Sequence, residues 1–290
     1  MIYKNATQAW YLESATEGVG SAFLLEDANC LHQEQTEIMH IGIYTSATFG
    51  HIMTIDDLVM LTTRDNFLYH EMMTHPALYS HPCPKEVIII GGGDCGTLKE
   101  VLKHPTVERV RQIDIEERVT RLSEQYFPEL CSSNQDPRAT LDFCDGIAWL
   151  ANAPDASADV IIVDATDPVG PAEGLFQLPF FQDCRRVLRP NGLLVQQGES
   201  PFIHLPIIKA FHQAQRDAGF SQQHLLTFPQ PCYPSGWWSA TVAGNDTYRD
   251  LTPREADIAA DQLVLDYYNA GIHRSALTLP NFIAAALKSI

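Results

Sequence analysis

The stretch from Val87 to Asp94, which reads VIIIGGGD, limits what this chain can become more than any other. Four β-branched apolar residues in a row suit a strand buried on both faces of a sheet. Three glycines then let the backbone turn sharply, and TLKEVL from Thr97 continues as the first turns of a helix. Strand, glycine turn and helix in succession form the ligand-binding corner of a doubly wound sheet. Gly91, Gly93 and Gly96 fit G-x-G-x-x-G, a spacing that any tight strand-to-helix turn can also produce. Asp94 is the residue that discriminates. A dinucleotide sets its pyrophosphate at the helix N-terminus, where free N–H groups and the helix dipole attract an anion. A carboxylate in that loop opposes an anion and favours a cation. The corner therefore suits a nucleoside carrying an amino or sulfonium group better than it suits NAD.

Downstream the rhythm is α/β. Residues 109–116, 138–143, 159–164 and 193–197 read as strands. Helices are predicted up to Tyr126, through Leu150 and around 180–188, the last stopped by Arg189-Pro190-Asn191-Gly192. Residues 1–80 lack this rhythm. Short strands at 42–46, 51–57 and 58–61 suggest a small antiparallel unit, followed by a helix from Asn66 with Asp65 as a possible cap. His81-Pro82-Cys83-Pro84 breaks the chain just before the central strand. The expected architecture is an N-terminal β domain at 1–80 and a Rossmann-like catalytic domain at 81–290.

Several strands end in carboxylates: Asp114 with Glu116, Asp145 and Asp164. Each alone could be a helix cap or a turn residue. In an open parallel sheet the carboxyl ends of the strands share one edge, so these acids converge there. The formal net charge of −17 argues against nucleic acid and anionic membranes as partners. It suits cationic ligands, and it equally suits a solubilising surface. Seven cysteines without a C-x-x-C pair read as reduced thiols, and eleven histidines without H-E-x-x-H spacing lead us to expect no metal. No apolar run approaches the roughly 20 residues that span a bilayer, and the start has no signal-peptide pattern, so a cytoplasmic address is expected.

An acid-lined nucleoside site beside a Pro/Gly loop with further acids suggests transfer from a sulfonium donor to a cationic amine. The segments GGGDCGTLKEVLKHPTVERV, IDIEERV, CDG, VDATDPVGPAEGLF, QQGESP and YPSGWWS closely resemble the spermidine synthase (polyamine aminopropyltransferase) family. RDNFLYHEM and DYYNAGIHRSALTLPNF extend the resemblance to nearly the whole chain. The resemblance implies an N-terminal β domain, a methyltransferase-type Rossmann-like domain, and a homodimer or homotetramer. It implies transfer of the aminopropyl group of decarboxylated S-adenosylmethionine, a co-substrate rather than a cofactor, to a diamine, usually putrescine. It implies roles as well. Asp164 would be the base, with Tyr69 beside it at the attacking amine. Asp94 would hold the donor ammonium, with His70 beside the donor. Asp114 would take the ribose hydroxyls, and Asp145 with Gly146 the adenine. Asp167, Gln197 and Tyr233 would line the diamine channel, with Trp237 and Trp238 covering its methylenes or simply packing. Residues 166–175 would be a gatekeeping loop.

The chain departs from the family pattern in places. Cys95 replaces a usual glycine; a side chain there calls for room and an ordinary φ, and so for a small shift of the loop. Asp114 is one methylene shorter than the usual glutamate. Met39 stands where the family brings a glutamine to the ribose. Two other readings stay open at this level: an amine N-methyltransferase using ordinary S-adenosylmethionine, and a non-catalytic nucleoside-binding relative.

Overall fold

The computed structural model describes residues 2–4, 9–12, 24–26, 28–168, 170–248 and 250–288. Three sheets order the chain. Strands β1 (Ile2–Lys4), β2 (Ala9–Leu12) and β3 (Leu24–Glu26) form a three-stranded antiparallel sheet. Strands β4 (Asn29–Gln35), β5 (His40–Ser46), β6 (Gly50–Ile55) and β7 (Leu58–Thr62) form a four-stranded antiparallel meander. The antiparallel unit expected from the sequence is there, with β4 as an outer strand that the reading did not name. Asp56 and Asp57 both take positive φ at the tight turn joining β6 to β7, a turn type that tolerates Asp.

Helix α1 (Asn66–Ser80) follows. It is buried almost all round, as a helix with no solvent face should be, and Met72, Met73 and Leu78 pack in one cluster with Val87, Ile89 and Val160. The boundary expected at residue 81 falls after this helix, whose packing partners belong to the sheet that comes next.

That sheet contains β8 (Glu86–Gly91), β9 (Arg109–Asp114), β10 (Ala139–Phe143), β11 (Ala158–Asp164), β12 (Leu188–Gln197), β13 (Gln222–Pro229) and β14 (Trp237–Gly244). Its order is β10-β9-β8-β11-β12-β14-β13, with the first five strands parallel and β14 running antiparallel to both β12 and β13. Strand β8 has β9 on one side and β11 on the other, so the chain reverses its direction of travel across the sheet there. A crevice opens at such a switch point, outside the carboxyl ends of the strands. The register aligns Gly91 with Asp164 and Asp114 with Phe143, which puts the strand-end acids on one rim.

Helices α2 (Gly96–Leu102), α3 (Glu117–Tyr126), α4 (Gly146–Asn152), α5 (Leu178–Val187) and α6 (Leu205–Asp217) connect the strands, and α7 (Glu255–Asp261), α8 (Ala270–Ala276) and α9 (Asn281–Leu287) close the chain. The stop predicted after α5 survives as a bulge: β12 opens at Leu188, and its register with β11 slips between Leu188 and Leu193. Among the described residues no helix is long and apolar enough to cross a membrane.

Candidate active site

The crevice at the switch point is a cavity of about 220 Å³ walled by both units of the chain. The meander gives Met39, Leu58 and Met60; the large sheet gives Asp94, Asp114, Asp145 and Asp164. A smaller chamber of about 40 Å³ adjoins it, lined by Asp167, Gln197, Pro234 and Trp238. Leu58, Met60, Tyr69, Ala165, Thr166 and Tyr233 line both, so they form the neck between a space of nucleoside size and a narrow one.

The glycine loop brings the acids close. At Gly91 φ is +82°, and a Cβ would sit 2.1 Å from the carbonyl oxygen of Asp164, so only glycine lets β8 and β11 part this tightly. The amide of Gly92 donates to that same carbonyl at 2.7 Å. Gly96 lies against the imidazole of His70, whose Nε2 is 3.2 Å from Asp94 Oδ2. The Gly96 amide donates to Asp94 Oδ1 at 2.7 Å. Cys95 takes the left-handed conformation, φ +69°, buried beside Gln112. The expectation of an ordinary φ there is corrected: the loop keeps its left-handed turn and the cysteine adopts it, at a cost on the order of 1 kcal/mol.

Asp164 sits at the end of β11. Its Oδ1 accepts the Tyr69 hydroxyl at 2.7 Å and its Oδ2 the Thr97 hydroxyl at 2.6 Å. Burial, and then the charge of Asp94, push its carboxyl above the ordinary aspartate value, against the opposing effects of His70 and the two hydroxyls. Burial pushes Asp94 upward too, but His70 and the Gly96 amide outweigh it and hold that carboxyl low. Burial disfavours a charged His70, yet Asp94 outweighs it and raises the imidazole. Burial, then Asp164, hold the Tyr69 hydroxyl well above its usual value, so it stays protonated as a donor.

Asp114 accepts from the Glu116 amide at 2.8 Å, and burial lifts its carboxyl to about 6. Asp145 is both things its sequence allowed. Its Oδ1 caps α4 by accepting from the amides of Ile147 and Ala148, and the residue lines the cavity. Gly146 follows it on the wall, where a Cβ would meet the Ile90 side chain at 2.7 Å. Tyr233 donates to the Met60 carbonyl at 2.6 Å and so ties the neck to the meander. Gln197 is locked by Glu199: its Nε2 donates to Oε1 at 3.2 Å and its Oε1 accepts from the Glu199 amide at 3.1 Å. Trp238 lines the small chamber edge-on to Tyr233, whereas Trp237 packs with Phe282 away from it.

The structure thus brings Asp94, Asp114, Asp145, Gly146, Asp164, Asp167, Tyr69, Gln197 and Tyr233 onto the walls of one two-chambered space. His70 is not on the wall; it stands behind Asp94. Val169 of the gatekeeping loop lies outside the described residues. Thr97 and Glu199 do not stand out in the sequence as site residues. Glu199 had a signal, as the acid two places after Gln197; Thr97 had only its place beside the loop. Six aspartates line the two chambers, and their described walls carry no lysine or arginine.

Residues 66–252 match the family profile described as the spermine/spermidine synthase domain, and residues 9–63 the one described as the spermidine synthase tetramerisation domain. The chain belongs to the spermine/spermidine synthase family. The polyamine aminopropyltransferase of Methylococcus capsulatus is 57% identical over 284 residues, covering 98% of each chain. That of Nitrosococcus oceani is 53% identical, covering 95% of this chain and 96% of its own. Among solved structures, a spermidine synthase in complex with the transition-state analogue AdoDATO superposes with a TM-score of 0.91 at 30% identity, over 100% of this chain and 98% of that one. The spermidine synthase of Thermotoga maritima superposes with a TM-score of 0.89 at 30% identity, over 100% and 97%. The protein is an enzyme of the polyamine aminopropyltransferase type.

Proposed function

We propose that the enzyme transfers the aminopropyl group of decarboxylated S-adenosylmethionine to putrescine, giving spermidine and methylthioadenosine. The observation that carries this is the two-chambered cavity, its walls lined by aspartates with no described lysine or arginine. Two small cations, one with a nucleoside body and one slim, match its charge and shape. Asp94 takes the ammonium of the donor's aminopropyl arm. A donor that kept the methionine carboxylate would bring a second anion to Asp94, which favours the decarboxylated form. Asp114 accepts from the ribose hydroxyls and Asp145 from the adenine amino group. Asp167 takes the far ammonium of the diamine, with Gln197 and Tyr233 lining its path.

An alkyl amine has a pKa near 10, so it arrives protonated and cannot attack. Beside the neck, in the larger chamber, Asp164 orients the near ammonium and accepts its proton as the nitrogen bonds to the carbon beside sulfur. The carbon–sulfur bond breaks in the same displacement. Sulfur keeps the electron pair and leaves as a neutral thioether, which needs no acid. Much of the rate comes from holding nitrogen, carbon and sulfur in line. Tyr69 fixes one oxygen of the base and stands at the neck where the two substrates meet.

The match of residues 9–63 to a tetramerisation domain supports a homodimer or homotetramer, which light scattering would measure. The chemistry is tested with Asp164→Asn. Turnover should fall by about 10²-fold or more while methylthioadenosine still binds. Turnover kept near the parent value would remove Asp164 as the base. An amine panel with either donor, read by mass spectrometry, tests the substrates; transfer of a methyl group from ordinary S-adenosylmethionine would overturn the reading.

A further inference from the structure

Thr97 is the second residue of α2, just past the glycine loop, and its side chain is wholly buried. It lies on the wall of neither chamber, so no substrate atom meets it. Its Oγ1 is 2.6 Å from Asp164 Oδ2. Between a hydroxyl and an ionised carboxylate the hydroxyl must be the donor, and so short a bond to a charged acceptor is a strong one. Tyr69 grips Oδ1 from α1 at 2.7 Å. The carboxylate is therefore held by two O–H donors from two different helices, one facing the cavity and one behind it.

The geometry points to Thr97 as a positioning residue for the transfer step: its hydroxyl fixes the plane of the Asp164 carboxylate and favours its charged form. This rests on the reading of Asp164 as the base. The titratable groups facing that carboxylate are Tyr69 and His70 from α1, Asp94 from the glycine loop, Asp114 from the end of β9 and Tyr233 ahead of β14. The two other aspartates make a charged Asp164 costly. His70 and the hydroxyls of Tyr69 and Thr97 offset that cost. Of these, Thr97 carries no charge, does not titrate, and touches no ligand. Valine would fill the same buried space without the hydrogen bond, so the hydroxyl can be removed while the cavity surface stays as it is.

The experiment compares the parent enzyme with Thr97→Val and Thr97→Ser. Turnover is followed from pH 5.5 to 9 with both substrates saturating, so that the titration of Asp114 in the free donor site does not enter. Losing a hydrogen bond to a charged group should move the acid limb of Thr97→Val upward by about one pH unit, a loss of about tenfold on that limb, with the alkaline plateau within about threefold of the parent. Serine should restore both limb and plateau. A valine variant with an unmoved limb overturns the inference, and so does an equal loss at every pH that serine does not rescue, since that is the mark of packing alone. Methylthioadenosine binding by calorimetry reports whether the site is intact; if the valine protein does not fold, Thr97→Ala makes the same comparison under the same criteria. The double variant with Asp164→Asn should be no slower than Asp164→Asn alone. If Asp164→Asn is inactive and the valine limb does not move, only the role of Thr97 falls; if Asp164→Asn turns over normally, the reading of the base falls with it.

Discussion

Asp114 ties donor binding to pH in a way that can be worked out from its surroundings. Burial holds its carboxyl near 6 in the free enzyme, and the neighbouring charges of Asp164 and Asp94 push the same way. As the proposed acceptor for the ribose hydroxyls, it is useful mainly when ionised. About one molecule in eleven is ionised one unit below that value and about ten in eleven one unit above, so methylthioadenosine should bind about tenfold more weakly at pH 5 than at pH 7. Binding near pH 6 should also release protons, because the ligand's hydroxyls favour the charged carboxylate. Calorimetry in buffers of different ionisation heat measures both effects. Methylthioadenosine lacks the aminopropyl ammonium, so Asp94 does not enter. In Asp114→Asn the affinity should be weaker and flat with pH, and the proton release should vanish. Stability should move in the opposite sense. A carboxyl whose pKa is higher folded than unfolded binds more protons when folded, so it stabilises the protein at low pH, and that stability is lost as the pH rises through about 6. Asp114→Asn should therefore gain about 3 kcal/mol over the parent at pH 7.5 and about 1 kcal/mol at pH 4.5. An affinity that is flat across pH 5 to 7.5 in the parent, or a slope that persists in the asparagine variant, would refute the assignment.

Other substitutions probe the rest of the site. Gly96→Ala puts a Cβ 2.1 Å from the His70 ring, which must move by more than an ångström. With the loop that carries Asp94 disturbed, turnover should fall by about 10²-fold, seen in steady-state rates, and stability by about 1–3 kcal/mol. Met39→Gln places an amide on the donor wall and should tighten methylthioadenosine binding by up to about tenfold in calorimetry. Glu71, buried in α1, accepts from the amides of Asp266, Tyr267 and Tyr268 at 2.8, 3.0 and 2.6 Å. Glu71→Ala strands those donors and should cost about 4 kcal/mol in urea unfolding, with Glu71→Gln in between.

The sequence announced the central strand, the glycine corner and the strand-end acids, because each rests on local rules. Periodicity, backbone freedom and the shared edge of a parallel sheet act within a few residues or follow from topology. What was hidden depended on contacts distant along the chain. His70 precedes Asp94 by 24 positions and supports it from behind rather than lining the cavity. Thr97 grips Asp164 across 67 positions and looks in the sequence like any residue of a first helical turn. Cys95 misled for another reason. A left-handed turn favours glycine by a small margin, and the loop's other bonds, among them Gly92 to Asp164 and Gly96 to Asp94, hold the turn in place over that margin.

The neck and donor wall are assembled from two parts of the chain that meet at Asp65. Its Oδ1 accepts the Thr62 hydroxyl at the end of β7, and its Oδ2 accepts the Cys232 amide just ahead of Tyr233. Met39 and Met60 come from one side of this seam, and Asp94 and Asp164 from the other. A nucleoside seated between them is held by both and works as mortar, so part of its binding energy goes into keeping the meander against the large sheet. Changes at the seam, which touch no ligand, will register as changes in affinity, and a bound nucleoside will make the two parts melt as one.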